Sequence, residues 1–141
     1  MNDRFANVAP LARSLLALIF IIAGVQKISG YAGTQGYMEM MGVSGALLPL
    51  VIAVEVLGGL ALLVGFQARL AAVLLAGFTV IAGTIFHLVP SFEMEAMAAQ
   101  GEVIHFMKNL AITGGLIMVI IFGAGSWSAD NRRSGAAISA G

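Results

Sequence analysis

Glu55 is the residue with the most chemistry to offer, because of where it stands. It lies near the middle of Ala46–Gly65, ALLPLVIAVEVLGGLALLVG, a run with no other charge. About twenty helical residues at 1.5 Å each span roughly 30 Å, the thickness of a bilayer's hydrocarbon core. A carboxylate at that depth costs a few kcal/mol unless it is paired or wet. The groups that could stand beside it are Arg13, Lys27, His87, Lys108 and Asn109. Together with Glu55 they form the candidate ligand-binding set. No residue is assigned a catalytic role.

Residue counts rank the partners for Glu55. Lys108 lies about five residues inside the fourth apolar run, and Arg13 about six inside the first. At 1.5 Å per residue either long side chain can reach mid-membrane. Lys108, with Asn109 beside it, is the preferred partner, and Arg13 is the alternative. Lys27 and Arg69 stand at helix ends, where basic side chains ordinarily snorkel to the interface. Asp130, next to Arg132 and Arg133, reads as part of a solvated tail. A plainer account competes with a ligand site, namely that the ion pair only pins helices together.

His87 and His105 fall near the ends of the third and fourth runs, with Glu93 and Glu102 close in sequence. Two histidines on neighbouring helices can ligate haem or a metal. These lie close to the surface, and their spacing fits no metal motif. They are expected to be interfacial, with water or backbone partners, and no metal site is expected. The eight methionines are scattered and read as packing, not copper ligands. The absence of cysteine excludes a thiol nucleophile, a disulfide relay and a thiolate-held iron–sulfur cluster.

The elements that must position these residues follow from composition. Of the 141 residues, 60% are hydrophobic and 10% charged, with a mean hydropathy of +0.98. Soluble domains carry about 25% charged residues, so this is an integral membrane protein. Net charge is zero, which offers nucleic acid no general attraction. Four apolar runs predict an all-α, four-helix transmembrane bundle with helices near 8–28, 46–65, 69–89 and 103–122. The first run has the length of a signal peptide, but Lys27 and Ile28 stand where a cleavage site would be. It is read as a retained helix.

Residues 1–130 make one domain, and 131–141 read as a disordered tail. Met1–Asn7 is a short polar tail. Segment 29–45 is predicted to hold a surface helix over Thr34–Met41, capped by Thr34, with Tyr37, Met38 and Met41 inward. Four spans put both termini on one side. Arg4, Arg13, Arg69, Arg132 and Arg133 gather there, against Lys27 and Lys108 on the other. The positive-inside rule then makes both termini cytoplasmic.

Each helix carries a stripe of polar and small residues. These are Arg13–Ala17–Phe20–Gly24–Lys27, Glu55–Gly58/Gly59–Leu62, Arg69–Ala72–Ala76–Val80–Gly83–His87, and His105–Lys108–Ala111/Ile112–Gly115. Small residues let helices approach closely in lipid. They also leave homo-oligomerisation through a small-residue face open.

A set of short motifs carries a resemblance. They are Gly24-Val-Gln-Lys27-Ile, Gly33-Thr-x-x-Tyr37-Met, Met41-Gly-Val and Glu55-Val-x-Gly-Gly. Gly65-Phe-x-x-Arg69, His87, Phe106-Met-Lys108-Asn109 and Gly123-x-Gly125-x-x-Ser128-x-Asp130 follow in order. In order and spacing the chain resembles the DoxX family of small bacterial four-helix membrane proteins, over roughly Arg13–Asp130. The resemblance implies a multi-pass protein of the bacterial inner membrane. It implies an accessory subunit of a quinone-linked oxidoreductase, with a quinone-like ligand inside the bundle and a partner redox subunit. Glu55, Lys108 and His87 would hydrogen-bond its headgroup or carry protons. Two alternatives stand beside this reading: a carrier or binding protein for a small lipophilic molecule, and a structural assembly module.

Overall fold

The computed structural model describes residues 8–132. The expected polar tail Met1–Asn7 and the tail from residue 133 onward lie outside the described residues. Helix α1 is Val8–Ser29, with Pro10 in its first turn. A short α2, Tyr31–Met40, follows almost at once. A single 3-10 turn leads into α3, Leu48–Val64. Helix α4 is Ala68–Gly83 and continues through a π-helical turn, Thr84–Leu88, into a short α5, Val89–Ser91. Helix α6 is Ala96–Phe122.

Four helical spans are long and apolar enough to cross a membrane: Val8–Ser29, Gly45–Val64, Ala68–Ser91 and Ala96–Phe122. The outer surface agrees, because Leu11, Leu15, Leu57, Leu60, Leu70 and Ile81 are all exposed. An apolar exterior of this extent belongs in lipid. The expected all-α four-helix membrane bundle is therefore observed. The last span starts at Ala96, not Val103. No proline stands between those residues, and alanine, methionine and glutamine are good helix formers that outweigh the single Gly101. Thr34 does not cap α2: it lies within the helix and donates to Gly30 O at 3.1 Å. Of the three residues expected to turn inward there, Met38 is buried, Met41 partly so, and Tyr37 remains exposed.

The spans alternate in direction, so the bundle has an Arg13 end and a Lys27 end. Helix α1 packs along α3, α3 against α4, and α4 along α6. The tightest seam is α1 with α3. A Cβ on Gly24 would come 2.6 Å from Val56 Cγ2, and one on Gly59 would meet Ala17 O and Ile21 N at 3.2 Å. Backbones this close need glycine at the crossing. Between the helices lies a core built on Ala17, Phe20, Leu62, Leu75 and Leu116.

Two of the four expected stripes face inward as read. Arg13, Ala17, Phe20 and Gly24 are buried on α1, and Glu55, Gly59 and Leu62 on α3. On α4 the buried face is Ala68–Ala72–Leu75/Ala76–Thr79–Gly83, while Arg69 and Val80 point out. On α6 the inward face passes through Asn109, Ile112 and Leu116. His105, Lys108 and Ala111 are exposed. One residue is 100° of helix, enough to move Lys108 from the bundle to its outside.

Candidate functional site

Glu55 pairs with Lys27, and not with Lys108 or Arg13. Lys27 Nζ lies 2.9 Å from Glu55 Oε1 and also donates to Ala23 O at 3.5 Å. The cause is the lean of helical side chains. Each Cα–Cβ bond tilts toward the N-terminus of its own helix. Near the end of α1, that tilt carries Lys27 down into the bundle. Helix α3 starts at the Lys27 end, so the same tilt carries Glu55 up toward it. Arg13 leans the other way, toward the start of α1. Lys108 lies on the outer face of α6. Lys27 is thus a partner of the buried charge as well as a residue at a helix end. The Gly24–Val56 crossing sets the two helices at the distance the pair needs.

The pair lies in a cavity of about 360 Å³. Ligand pockets run from roughly 300 to 1,000 Å³, so a small molecule fits. Four of the six candidate residues line it: Lys27, Glu55, His87 and Asn109. Arg13 and Lys108 do not. The walls are apolar and aromatic, from Phe20 on α1 and Phe78 and Phe86 on the fourth-helix segment. Helix α2 adds Thr34, Tyr37 and Met38 at the Lys27 end. Tyr37 and Phe86 rings lie 5.7 Å apart, tying α2 to the π-turn.

Glu55 is only 4% exposed, yet its Oε2 has no hydrogen-bond partner among the described residues. Buried polar atoms are nearly always satisfied, and exceptions ask for a cause. Thr79, also buried, gives its hydroxyl proton to Leu75 O at 2.7 Å and lines the cavity. Asn109 stands opposite Gly83, where a Cβ would come 2.7 Å from its Nδ2. That glycine makes room for the amide at the cavity wall.

His87 sits in the π-turn, and such turns are frequent at functional sites. Its Nδ1 is 2.7 Å from Glu102 Oε2. The His87 and His105 rings stack, with centroids 5.2 Å apart. Stacked faces do not aim ring nitrogens at a shared ion. Among the described residues, no group of three or more His, Cys, Asp or Glu could hold a metal. One histidine is held by a carboxylate from α6 and covered by the ring of the other.

Arg13 belongs to a different construction. It is buried and donates to Ala124 O, to Trp127 O at 2.9 Å and to Leu63 O at 3.3 Å. Asp130, expected in a solvated tail, accepts from Gln67 N at 2.7 Å and Ala68 N at 2.9 Å, capping α4. Asn131 is tied down as well, donating to Ser126 O at 2.9 Å. Gly65, at φ +70°, leaves space for Ser128 and Arg13. The segment after α6 folds back and closes the Arg13 end.

Sequence reading missed Thr79, Phe78 and Phe86, while Phe20 already stood on the expected inward stripe of the first helix. Thr79 stands at i+3 from Ala76 and i−4 from Gly83, so the small-residue stripe already marked its face. Phe78 and Phe86 carried no signal, since phenylalanine faces lipid as readily as a cavity.

The DoxX family model matches residues 8–88. That stretch holds Arg13, Lys27, Glu55 and His87. Inner membrane protein YqjF of Escherichia coli (strain K12) is 48% identical over 121 residues, covering 85% of this chain and 87% of that protein. Inner membrane protein YphA of the same organism is 36% identical over 124 residues, covering 86% and 87%. No solved structure matches the chain. With a family model over more than half its length and a 48%-identical relative spanning most of it, the chain belongs to the DoxX family of integral membrane proteins.

Proposed function

We propose that the bundle binds a small, largely apolar, quinone-like molecule in the Lys27–Glu55 cavity, and that it serves as an accessory subunit of a quinone-linked membrane oxidoreductase. One observation carries the reading. Four polar candidate residues from α1, α3, the π-turn and α6 converge on one aromatic-walled space, where a buried carboxylate oxygen lacks a partner. Packing alone leaves that convergence unexplained, since a purely structural pair is better served by a filled core and satisfied oxygens.

The residues fit such a ligand. Phe20, Phe78 and Phe86 offer ring faces, and Lys27 and Asn109 offer N–H donors to ring oxygens. A quinone, when bound, supplies two-electron, two-proton carrier chemistry, and the electrons come from or go to a partner protein. His87, held by Glu102, is placed to hand a proton between the cavity and the Lys27 end. By the positive-inside rule the Arg13 end and both termini are cytoplasmic, in a bacterial inner membrane like that of the two relatives.

A second reading shares the cavity and drops the partner: a carrier for a small lipophilic molecule. It is favoured by the site's being complete within one chain. Both readings are tested by purifying the protein in mild detergent, extracting it with organic solvent and analysing the extract by mass spectrometry. A retained isoprenoid quinone, lost in the Lys27→Met/Glu55→Met variant, supports the first. A different lipophile, lost in the same variant, supports the second. An extract with nothing beyond phospholipid and detergent overturns both and leaves the assembly module.

A further inference from the structure

We infer that the cavity selects a ring bearing a free hydroxyl, a phenol or hydroquinone, over the same ring with only carbonyl or ether oxygens. This deepens the ligand-site reading above and rests on it.

The donors and acceptors at the cavity head can be counted. A carboxylate paired with an ammonium accepts hydrogen bonds and donates none. Glu55 Oε1 is taken by Lys27 at 2.9 Å. Oε2 is buried and has no donor among the described residues. Lys27 has three N–H groups and directs two of them, at Glu55 Oε1 and Ala23 O. Thr79 has committed its proton to Leu75 O. Around the ion pair there is therefore one empty acceptor, the buried Oε2, beside one spare Lys27 donor, with the Asn109 amide as a further donor at the wall.

A hydroxyl answers both at once, because its oxygen accepts while its proton is given. Lys27 would donate to that oxygen, and Glu55 Oε2 would take the proton in a hydrogen bond. A carbonyl or ether oxygen answers only Lys27 and leaves the buried carboxylate oxygen unsatisfied. Sites that hold a buried polar atom for a ligand's hydroxyl reject analogues lacking it, because the loss falls on the unpaired group. The walls decide the rest of the molecule. Phe20, Phe78 and Phe86 suit a flat ring.

The test uses the full chain in lipid nanodiscs and a redox-locked series on one ring. The probes are tetramethylhydroquinone kept under anaerobic reductant, its dimethyl ether and tetramethylbenzoquinone, measured by equilibrium dialysis. The hydroquinone is expected to bind roughly tenfold to a hundredfold more tightly than the ether or the quinone. Glu55→Gln, which puts an amide in place of the carboxylate, is expected to collapse that ratio to within about threefold. If Glu55→Gln does not fold, the ether comparison on the unaltered protein decides alone. Equal binding of hydroquinone and ether overturns the inference while leaving the cavity as a ligand site. Failure of all three probes to bind overturns the ligand-site reading itself.

Discussion

The two ends of the bundle each bury a charge, and they treat it in opposite ways. At the Arg13 end the guanidinium meets three backbone carbonyls, and Asp130 meets two backbone amides. Donors and acceptors there are matched, and the chain after α6 is folded over them. At the Lys27 end one carboxylate oxygen is paired and the other is buried without a partner among the described residues, on a side chain that lines a cavity. A closed polar network holds a fold; the open one next to a cavity is where the ligand is proposed to sit. The contrast also explains why Arg13 and Lys27, both on α1, part as they do: a long side chain goes where its helix tilts it and where unsatisfied acceptors wait.

The largest effect is expected at the closed end. Arg13→Met removes the donor from Leu63 O, Ala124 O and Trp127 O together. Losing a charged donor that serves several buried carbonyls should cost about 3–5 kcal/mol. Thermal unfolding followed by size-exclusion in detergent would show a large drop in Tm, with ligand preference in the surviving protein unchanged. A small drop would mean that the latch is ornamental and that the comparison between the ends fails.

Next comes Lys27→Met. It strands Glu55 as a buried carboxylate without its cation. The cost should be about 2–4 kcal/mol, below that of Arg13→Met, because Lys27 is 26% exposed and the cavity is roomy. The double variant Lys27→Met/Glu55→Met should recover most of that stability, since replacing both members of a buried pair by apolar groups is often neutral. Ligand retention should not recover. A double variant as unstable as the single one would show that the pair is there to hold α1 on α3.

Asp130→Ala should cost less, about 1–2 kcal/mol, the usual worth of a helix cap. It frees Gln67 N and Ala68 N at the start of α4, where Gln67 has φ +47°. Because Arg13 and Asp130 secure the same returning segment, the two losses should not add. A double-mutant cycle in unfolding free energy measures the shortfall. Strict additivity would split the closed end into two independent devices.

The fold was legible in the sequence because length and hydropathy alone demand it. Four runs of about twenty apolar residues leave few arrangements open in a bilayer. The inward faces of α1 and α3 were legible too, since Arg13, Gly24, Glu55 and Gly59 are residue types lipid rarely tolerates or glycines placed at a crossing. The faces of α4 and α6 were not. Lipid is as apolar as a core, so periodicity in Leu, Ile and Val says little about which side is which. Counting depth along each helix also ignores the tilt of side chains, and that is why it favours Lys108 and Arg13 over Lys27 as the partner of Glu55. Asp130 was lost to a different cause: its partners are backbone amides, which leave no mark in a sequence.

The smallest effect is expected at the residue that sequence spacing favoured most. Lys108 is exposed on α6, beside the inward-facing Asn109. It touches neither the cavity nor the latch. In a helix that enters from the Lys27 end, its side chain tilts back toward that interface, where an ammonium finds water. Lys108→Met should therefore change stability by no more than about 0.5 kcal/mol and leave ligand retention as it was. Asn109→Leu, one position away, should keep the fold and weaken ligand retention, because its amide stands at the cavity wall against Gly83. The pair is measured side by side by unfolding and by ligand extraction. If Lys108→Met loses the ligand and Asn109→Leu keeps it, α6 is turned by one residue and the cavity described here is not the binding site.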